Sequence, residues 1–443
     1  MNKQETICFI DNYDRTPIFE KVSKYFELEN VFWITLNSNV HDNLKKNFKE
    51  KNILYLNYSD KSEINNFIRE NKLYEVFLSD RFLRNKGDIG FNFLKNIEGL
   101  IYNFIKLNKI KVIIGEYTWG HELLTHRIIK NNKLDCKYFN IQPLRYPYNR
   151  SGFFFNESQN EILKINSDTE KNLDFKNNTY SIKERKKSKN QIFKILVLLL
   201  KIFQRNYYRK KDIFFMSKFS KIKENLNIFF NSINYNLLKK KRFIINNNNF
   251  KILFALQKQP EASADVKSRY YEEQNKLILN ILKTLSNQCD LYLKEHNAAI
   301  GLRDKKFYTN IIKYPNVYLL DHEFDLNENL KSFDLVISQA GTVSYEAAIK
   351  NIPSFTFADC FFNKLQNSFK INFEDLKNCQ NIKELLNLKI AENKNKLTLR
   401  EFENFLLERS FPGNIMGVYG NAEVIKNENI ELLAKELKKL FLV

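Results

Sequence analysis

The chain has 443 residues, 43% of them hydrophobic and 14% aromatic, with 71 Lys and Arg against 51 Asp and Glu for a formal charge of +20. That length exceeds one ordinary core and suits two domains, and the apolar content excludes a disordered chain. The basic balance fits phosphate-bearing partners, although a solvated surface shaped by an Asn-, Lys- and Ile-rich composition with only 11 Gly and 7 Pro fits it as well.

Strands and helices alternate over the first 155 residues. TICFI (6–10) reads as a strand, and DNYDRTP follows with Thr16 as N-cap and Pro17 at the first helical position. A helix over 17–27, a strand in NVFWITL, a helix over 42–50 and a strand in ILYLN come next. LYEVFLSD (73–80) reads as a further strand, before a helix over 90–108, the strand KVIIGE (111–116), a helix over 119–131 and the strand CKYFNIQ. This alternation predicts a parallel sheet covered on both faces.

Residues 157–245 break the pattern and read as helical or irregular, with the basic run KERKKSK and the apolar run IFKILVLLLKIF at 192–203. Lysines interrupt that run, and it is too short to span a bilayer. A helix over 190–212 would pack between domains or lie on a membrane surface. INNNN (245–249) reads as a boundary. A second alternation follows: strand 250–256, helix 268–286, strand 290–294, helix 303–312, strand NVYLL, helix 326–332, strand DLVIS, helix 342–350 and strand SFTFA. ENIELLAKELKKLFLV closes the chain as an amphipathic helix. The expected organisation is an α/β fold of two Rossmann-like domains facing across a cleft: 1–155, a basic helical linker at 156–245, 246–410, and a C-terminal helical segment at 411–443 near the junction.

Cys8, Cys136, Cys289, Cys360 and Cys379 show no CxxC spacing and read as free thiols of a reducing compartment. MNKQETICFID enters a strand with no apolar leader, so the expected location is the cytoplasm, with contact to the inner membrane surface through the 190–212 helix.

In open α/β sheets, ligands bind beyond the carboxyl ends of the strands. Three predicted strands of the second half end in polar clusters. QKQPEAS supplies Gln259 and Glu261. KEH supplies Lys294, Glu295 and His296. SQAGTVSYEAA supplies Ser338, Gly341, Thr342, Ser344 and Glu346. Gly341 permits close backbone approach, Thr342 suits a helix cap, and the first-turn N–H groups offer an anion site. Taken singly, each cluster is an ordinary turn, surface pair or capped helix start. VIIGEYTWGHELLTHRI (112–128) and VISQAGTVSYEAAIK (336–350) share one plan: a strand, a Gly-containing loop, and a helix bearing Glu122 or Glu346.

In order and spacing, LQKQPEAS, LYLKEH, PNVYLL and DLVISQAGTVSYEAAIKNIPSFTF resemble the bacterial capsule polysaccharide biosynthesis family, which includes the Kdo transferases of the capsule lipid linker. YNRSGFFF (148–155) is similar to that family's segment between its halves. The resemblance covers 246–365 closely and 1–155 loosely. It implies a GT-B-like fold, with a nucleotide sugar held mainly by the second domain and the acceptor by the first. The family's QPE motif falls on Gln259, Pro260 and Glu261. Its His-Pro motif falls on His296, where Asn297 replaces the proline, and its Gly-Thr and Glu-Ala segment on Gly341, Thr342, Glu346 and Ala347.

The expected activity is metal-independent transfer of a sugar, Kdo or a related acidic sugar, from a nucleotide-linked donor (CMP-linked in the Kdo case) to a capsule or surface-glycan acceptor, with no cofactor. Lys294, His296 and Arg303 are expected to neutralise the leaving phosphate. Glu116, after VIIG, is the first choice as base for the acceptor hydroxyl, and Asp11, after TICFI, the second. No DxD-type or HExxH metal motif stands in a convincing place. The alternatives are a non-hydrolysing sugar-nucleotide epimerase, a catalytically inactive assembly partner, or a nucleic-acid-binding protein. The last is disfavoured by basic residues spread along the chain and by the lack of a recognised module.

Overall fold

A computed structural model describes the chain except residues 1–4, 58–66, 148, 166–207, 239–247, 323, 393–394, 417, 419–421 and 443. It forms two compact units: residues 1–157, 161–217 and 405–443, and residues 158–160 and 218–404.

The first unit is built on strands β1 (Ile7–Ile10), β2 (Val31–Thr35), β3 (Ile53–Tyr55), β4 (Val112–Ile114), β5 (Lys137–Pro143) and β6 (Arg150–Phe154), with the short β13 (Phe411–Pro412) returning from the far end of the chain. Their order is β13-β6-β5-β4-β1-β2-β3. β1 to β5 are parallel, while β6 pairs antiparallel with β5 and β13. All four residues of β1 are fully buried, as expected for a strand covered on both faces. Phe9 packs on Phe19 and Trp33 with ring centroids 5.4 and 5.3 Å apart.

Helices α1 (Thr16–Ser23), α2 (Ser38–Leu44), α3 (Glu70–Ser79), α4 (Asp88–Leu107) and α5 (Gly120–Asn131) surround this sheet. α3 corrects the reading of LYEVFLSD as a strand. Leu73, Val76 and Phe77 are buried while Tyr74 and Leu78 stay exposed, which is a helical stripe rather than a strand's alternation. α1 begins at Thr16 itself, with Arg15 as N-cap. α2 begins at Ser38 rather than 42, because the Asn37 side chain accepts the Asn39 and Val40 amides. The closing helix, Asn427–Lys439, packs inside this unit, where Leu433, Ala434 and Leu437 share one core with Ile18, Phe19 and Val22.

The second unit carries an entirely parallel sheet of β7 (Phe250–Ala255), β8 (Cys289–Lys294), β9 (Val317–Leu319), β10 (Leu335–Ser338), β11 (Ser354–Thr356) and β12 (Ser368–Lys370), in the order β12-β11-β10-β7-β8-β9. Its helices include α6 (Lys218–Asn236), α7 (Gln274–Leu282), α8 (Lys305–Ile312), α9 (Leu326–Asn329) and α10 (Thr342–Ile349). α7 is shorter than the expected 268–286, since 263–271 forms separate short helical turns. Each unit thus has the parallel, helix-covered sheet of a Rossmann-like domain. The expected 190–212 helix and the poly-Asn boundary lie largely outside the described residues. No described helix is long and apolar enough to cross a membrane.

Both sheets reverse direction at a point set by their strand order. In the first unit the chain runs outward through β1, β2 and β3, then returns to lay β4 on the other side of β1. In the second it runs through β7, β8 and β9, then lays β10 on the other side of β7. The crevice beyond the carboxyl ends of such a strand pair is the ligand position of open α/β sheets.

Candidate functional site

In the second unit the reversal lies between β7 and β10, and Gln257 spans it. Its Oε1 accepts the Ala340 amide at 2.8 Å, its own amide donates to Gln274 Oε1 at 2.9 Å, and its carbonyl accepts Gln274 Nε2 at 2.9 Å. Gln274 Nε2 also donates to Gln259 Oε1 at 2.8 Å. Gln259 is therefore held in position by α7, while Glu261, further out on the same loop, is exposed. Gln257 escaped the sequence reading, although it is the first polar residue after an apolar strand.

The loop after β8 separates the residues that the sequence grouped together. Glu295 is fully buried, and its carboxylate accepts Arg303 Nη1 at 2.7 and 2.6 Å, the Tyr308 hydroxyl at 2.6 Å and the His296 amide at 2.6 Å. Arg303 also donates to the Gln257 carbonyl. The expected placing of Glu295 and Arg303 against a ligand is corrected: the pair is spent inside the fold, where a lone carboxylate would be costly and a paired one fixes the loop. Lys294 is likewise buried, with Nζ donating at 3.1 Å to the Glu295 carbonyl, the Asn297 side chain and the His322 carbonyl. Asn297, which departs from the family pattern, thus replaces a proline with an acceptor for this lysine.

His296 remains turned outward. Its Nδ1 accepts the Ala298 amide at 3.1 Å, which leaves the proton of the neutral imidazole on Nε2. The residue as a whole is exposed, but the loop packed around the ring desolvates it and holds its pKa below the usual value, against the opposing pull of Glu261 and Glu295. A neutral ring so capped is a hydrogen-bond donor at Nε2, not a base.

Beyond β10, Ser338 and Ser344 are fully buried and share a 2.7 Å hydrogen bond, while Ser338 Oγ accepts the Gly341 amide at 2.9 Å. These serines, expected to touch a ligand, instead shape the turn. Gly341, not Thr342, is the N-cap of α10, and a Cβ there would lie 3.1 Å from Ser338 Cβ and Oγ. Thr342 and Glu346 are half-buried on the helix's first turns.

The two helices that echoed each other in sequence differ here. At the start of α5, Asp80 accepts the Gly120 amide at 2.7 Å, and Glu122 accepts those of Glu116, Thr118 and Trp119 at 2.9–3.1 Å. Two carboxylates of the chain already fill that helix end. α10 has no acidic residue in its first turn and no side-chain hydrogen bond from its cap. Its N-terminus, at the reversal point, is the end able to take a ligand's anion.

In the first unit the reversal lies between β1 and β4, where Asp11 and Glu116 stand. Glu116 pairs with Arg15 Nη1 at 2.7 Å and accepts Asn12 Nδ2 at 2.8 Å and Thr118 Oγ1 at 2.9 Å. Both oxygens of this carboxylate are therefore engaged. Asp11 accepts two hydroxyls, Thr16 at 2.5 Å and Thr35 at 2.9 Å. Burial raises its pKa to about 6 against those two bonds, with Glu20 and Asp212 adding to the rise. Of the two expected bases, Asp11 is the one whose pKa is raised.

Asp212, missed from sequence, closes the same end. It accepts the Ser38 amide and hydroxyl at 3.1 and 3.0 Å, the Tyr55 hydroxyl at 2.7 Å and the Arg209 amide at 2.6 Å. One signal was available: it is the only acid between Glu184 and Glu224 in a strongly basic stretch. Among the described residues, no group of three or more His, Cys, Asp or Glu is arranged to hold a metal.

No family model and no curated protein matches the chain. Solved structures do. A Thermosulfurimonas dismutans KpsC structure titled as a beta Kdo 2,7 transferase matches at 10% identity and TM-score 0.40, covering 99% of this chain and 100% of that one. A Methanocaldococcus jannaschii UDP-GlcNAc 2-epimerase, solved with UDP-GlcNAc and UDP, matches at 13% identity and TM-score 0.29, covering 91% and 98%. Acinetobacter baumannii MurG matches at 10% identity and TM-score 0.28, covering 98% and 99%.

Proposed function

We propose that the protein is a glycosyltransferase acting on a nucleotide-activated sugar, Kdo or a related acidic sugar on a CMP-type donor, with a capsule or surface-glycan acceptor. The observation that carries this reading is the coincidence, in both units, of the reversal point with the polar strand ends: Gln257–Glu261 with Ser338–Gly341, and Asp11 with Glu116.

In this reading the second unit holds the donor. The uncapped start of α10 receives the phosphate, His296 Nε2–H donates to it as charge builds, and Glu261 and Glu346 accept from hydroxyls. The buried Glu295–Arg303 pair orients the His296 loop. The acceptor hydroxyl attacks the anomeric carbon, a carboxylate base takes its proton, and the bond from the anomeric carbon to the phosphate oxygen breaks with its electrons on the departing nucleotide. Asp11, whose pKa burial raises to about 6, is the carboxylate of the first unit best suited to be that base.

The test is a panel of nucleotides and nucleotide sugars in thermal denaturation. A cognate donor at about 100 times its Kd adds roughly 2.7 kcal/mol, and His296→Ala abolishes turnover while the protein stays folded. Release of free nucleotide separates transfer from epimerisation. If no nucleotide stabilises the protein, the proposal fails.

A further inference from the structure

The outer face of α6 carries none of the residues assigned to the site above. Phe219, Leu226, Phe230 and Leu237 are 77, 50, 57 and 74% exposed. Their spacings of seven, four and seven put them within about 40° of one line along the helix and the turn after it. Ile222, Phe229 and Ile233 flank the line and are half-buried.

The opposite face is firmly seated. Tyr235 is fully buried with its ring 5.1 Å from that of Tyr308. Gly301, at φ +89°, approaches so closely that a Cβ would lie 2.3 Å from the Ile228 carbonyl oxygen. The helix is therefore fixed in rotation, and its apolar stripe points away from the unit that holds it.

The stretch of sequence that contains this stripe is one-sided in charge. Residues 183–242 contain eighteen Lys and Arg against three acids, so this stretch carries +15 of the chain's +20. Lys218 and Lys223 are exposed on α6 itself, and Lys239, Lys240, Lys241 and Arg242 follow directly in sequence. A greasy line inside a dense cationic stretch matches a surface that is apolar beneath and anionic above.

We propose that α6 docks the protein on an anionic phospholipid surface through the Phe219–Leu226–Phe230–Leu237 stripe, with Lys218 and Lys223 against the headgroups. α6 also lines, with Gln259, Pro260 and Gly301, a groove of about 580 Å³. The docked surface therefore runs alongside the loop after β7. Such docking does not require the protein to be a transferase.

The test uses the full-length protein in flotation with phosphatidylcholine vesicles, with and without phosphatidylglycerol. Binding is expected only with the anionic lipid, and it weakens as salt rises. Replacing all four stripe residues with Ser, which changes exposed positions only, is expected to weaken binding at least about 100-fold without altering the thermal transition. Replacing Lys218 and Lys223 with Gln weakens it by about five-fold per charge. Equal binding to neutral vesicles, no binding at all, or wild-type binding by the Ser variant overturns the proposal. So does a concentration-dependent dimer that the Ser variant abolishes while vesicles are ignored, which assigns the face to a second copy instead.

Discussion

Acidifying the protein should destabilise its first unit through one histidine. His121 is 2% exposed on α5, and neither ring nitrogen has a hydrogen-bond partner. Burial lowers its pKa from 6.5 to about 3. The folded state therefore resists protonation while the unfolded chain accepts it. Between those two values the unfolded state binds more protons, so this histidine's contribution to stability is lost as pH falls. From pH 7 to 5 the difference in proton uptake amounts to roughly 2 kcal/mol. Asp11 works with the opposite sign, because its raised pKa makes the folded state the better proton binder between 3.8 and about 6. A comparison of wild type with His121→Leu at both pH values cancels that common contribution. Urea unfolding followed by tryptophan fluorescence is the suitable assay, since both tryptophans, Trp33 and Trp119, belong to the first unit. The Leu variant should be at least as stable as wild type at pH 7, because two unpartnered polar atoms leave the interior. It should also lose less stability at pH 5 by roughly 2 kcal/mol. Parallel pH dependences in the two proteins would refute the reasoning.

Glu295→Ala strands the Arg303 guanidinium and the Tyr308 hydroxyl in the interior and should cost about 3–5 kcal/mol by urea denaturation, whereas His296→Ala should stay near wild type. If Asp11 is the base, turnover rises with pH to a plateau above about 6, and Asp11→Asn removes the activity while Glu116→Gln retains a measurable part of it. An acid limb that survives in Asp11→Asn excludes that assignment. Gly341→Val crowds Ser338, which already stands 3.1 Å from the position of a Cβ. It should weaken nucleotide binding by about ten-fold or more in calorimetry with the circular dichroism unchanged.

The alternation of apolar runs and amphipathic stretches was enough to read both parallel sheets. A strand buried on both faces must be nearly continuously apolar, and ICFI, ILFA and LVI are. LYEVFLSD misled because five of its eight residues are apolar or aromatic and satisfy a strand by composition, and only burial showed that Leu73, Val76 and Phe77 form a helical stripe. β13 was not legible at all: two residues carry no periodicity, and their pairing with β6 joins positions some 260 apart in sequence.

The positions of Gln259, His296, Gly341, Asp11 and Glu116 at strand ends were likewise legible, because a strand that stops at a polar cluster shows the cluster's place in a parallel sheet. Which of these side chains remains available was decided only by tertiary contacts. Lys294, Glu295 and His296 are adjacent in sequence, yet the first two are spent on Asn297, Arg303 and Tyr308, and only the third turns outward. Glu116 and Asp11 look alike as acids after strands. Arg15 reaches one of them while threonine hydroxyls and burial enclose the other. Residue type and local period follow from covalent neighbours, whereas charge state and availability depend on partners that meet only when distant segments pack.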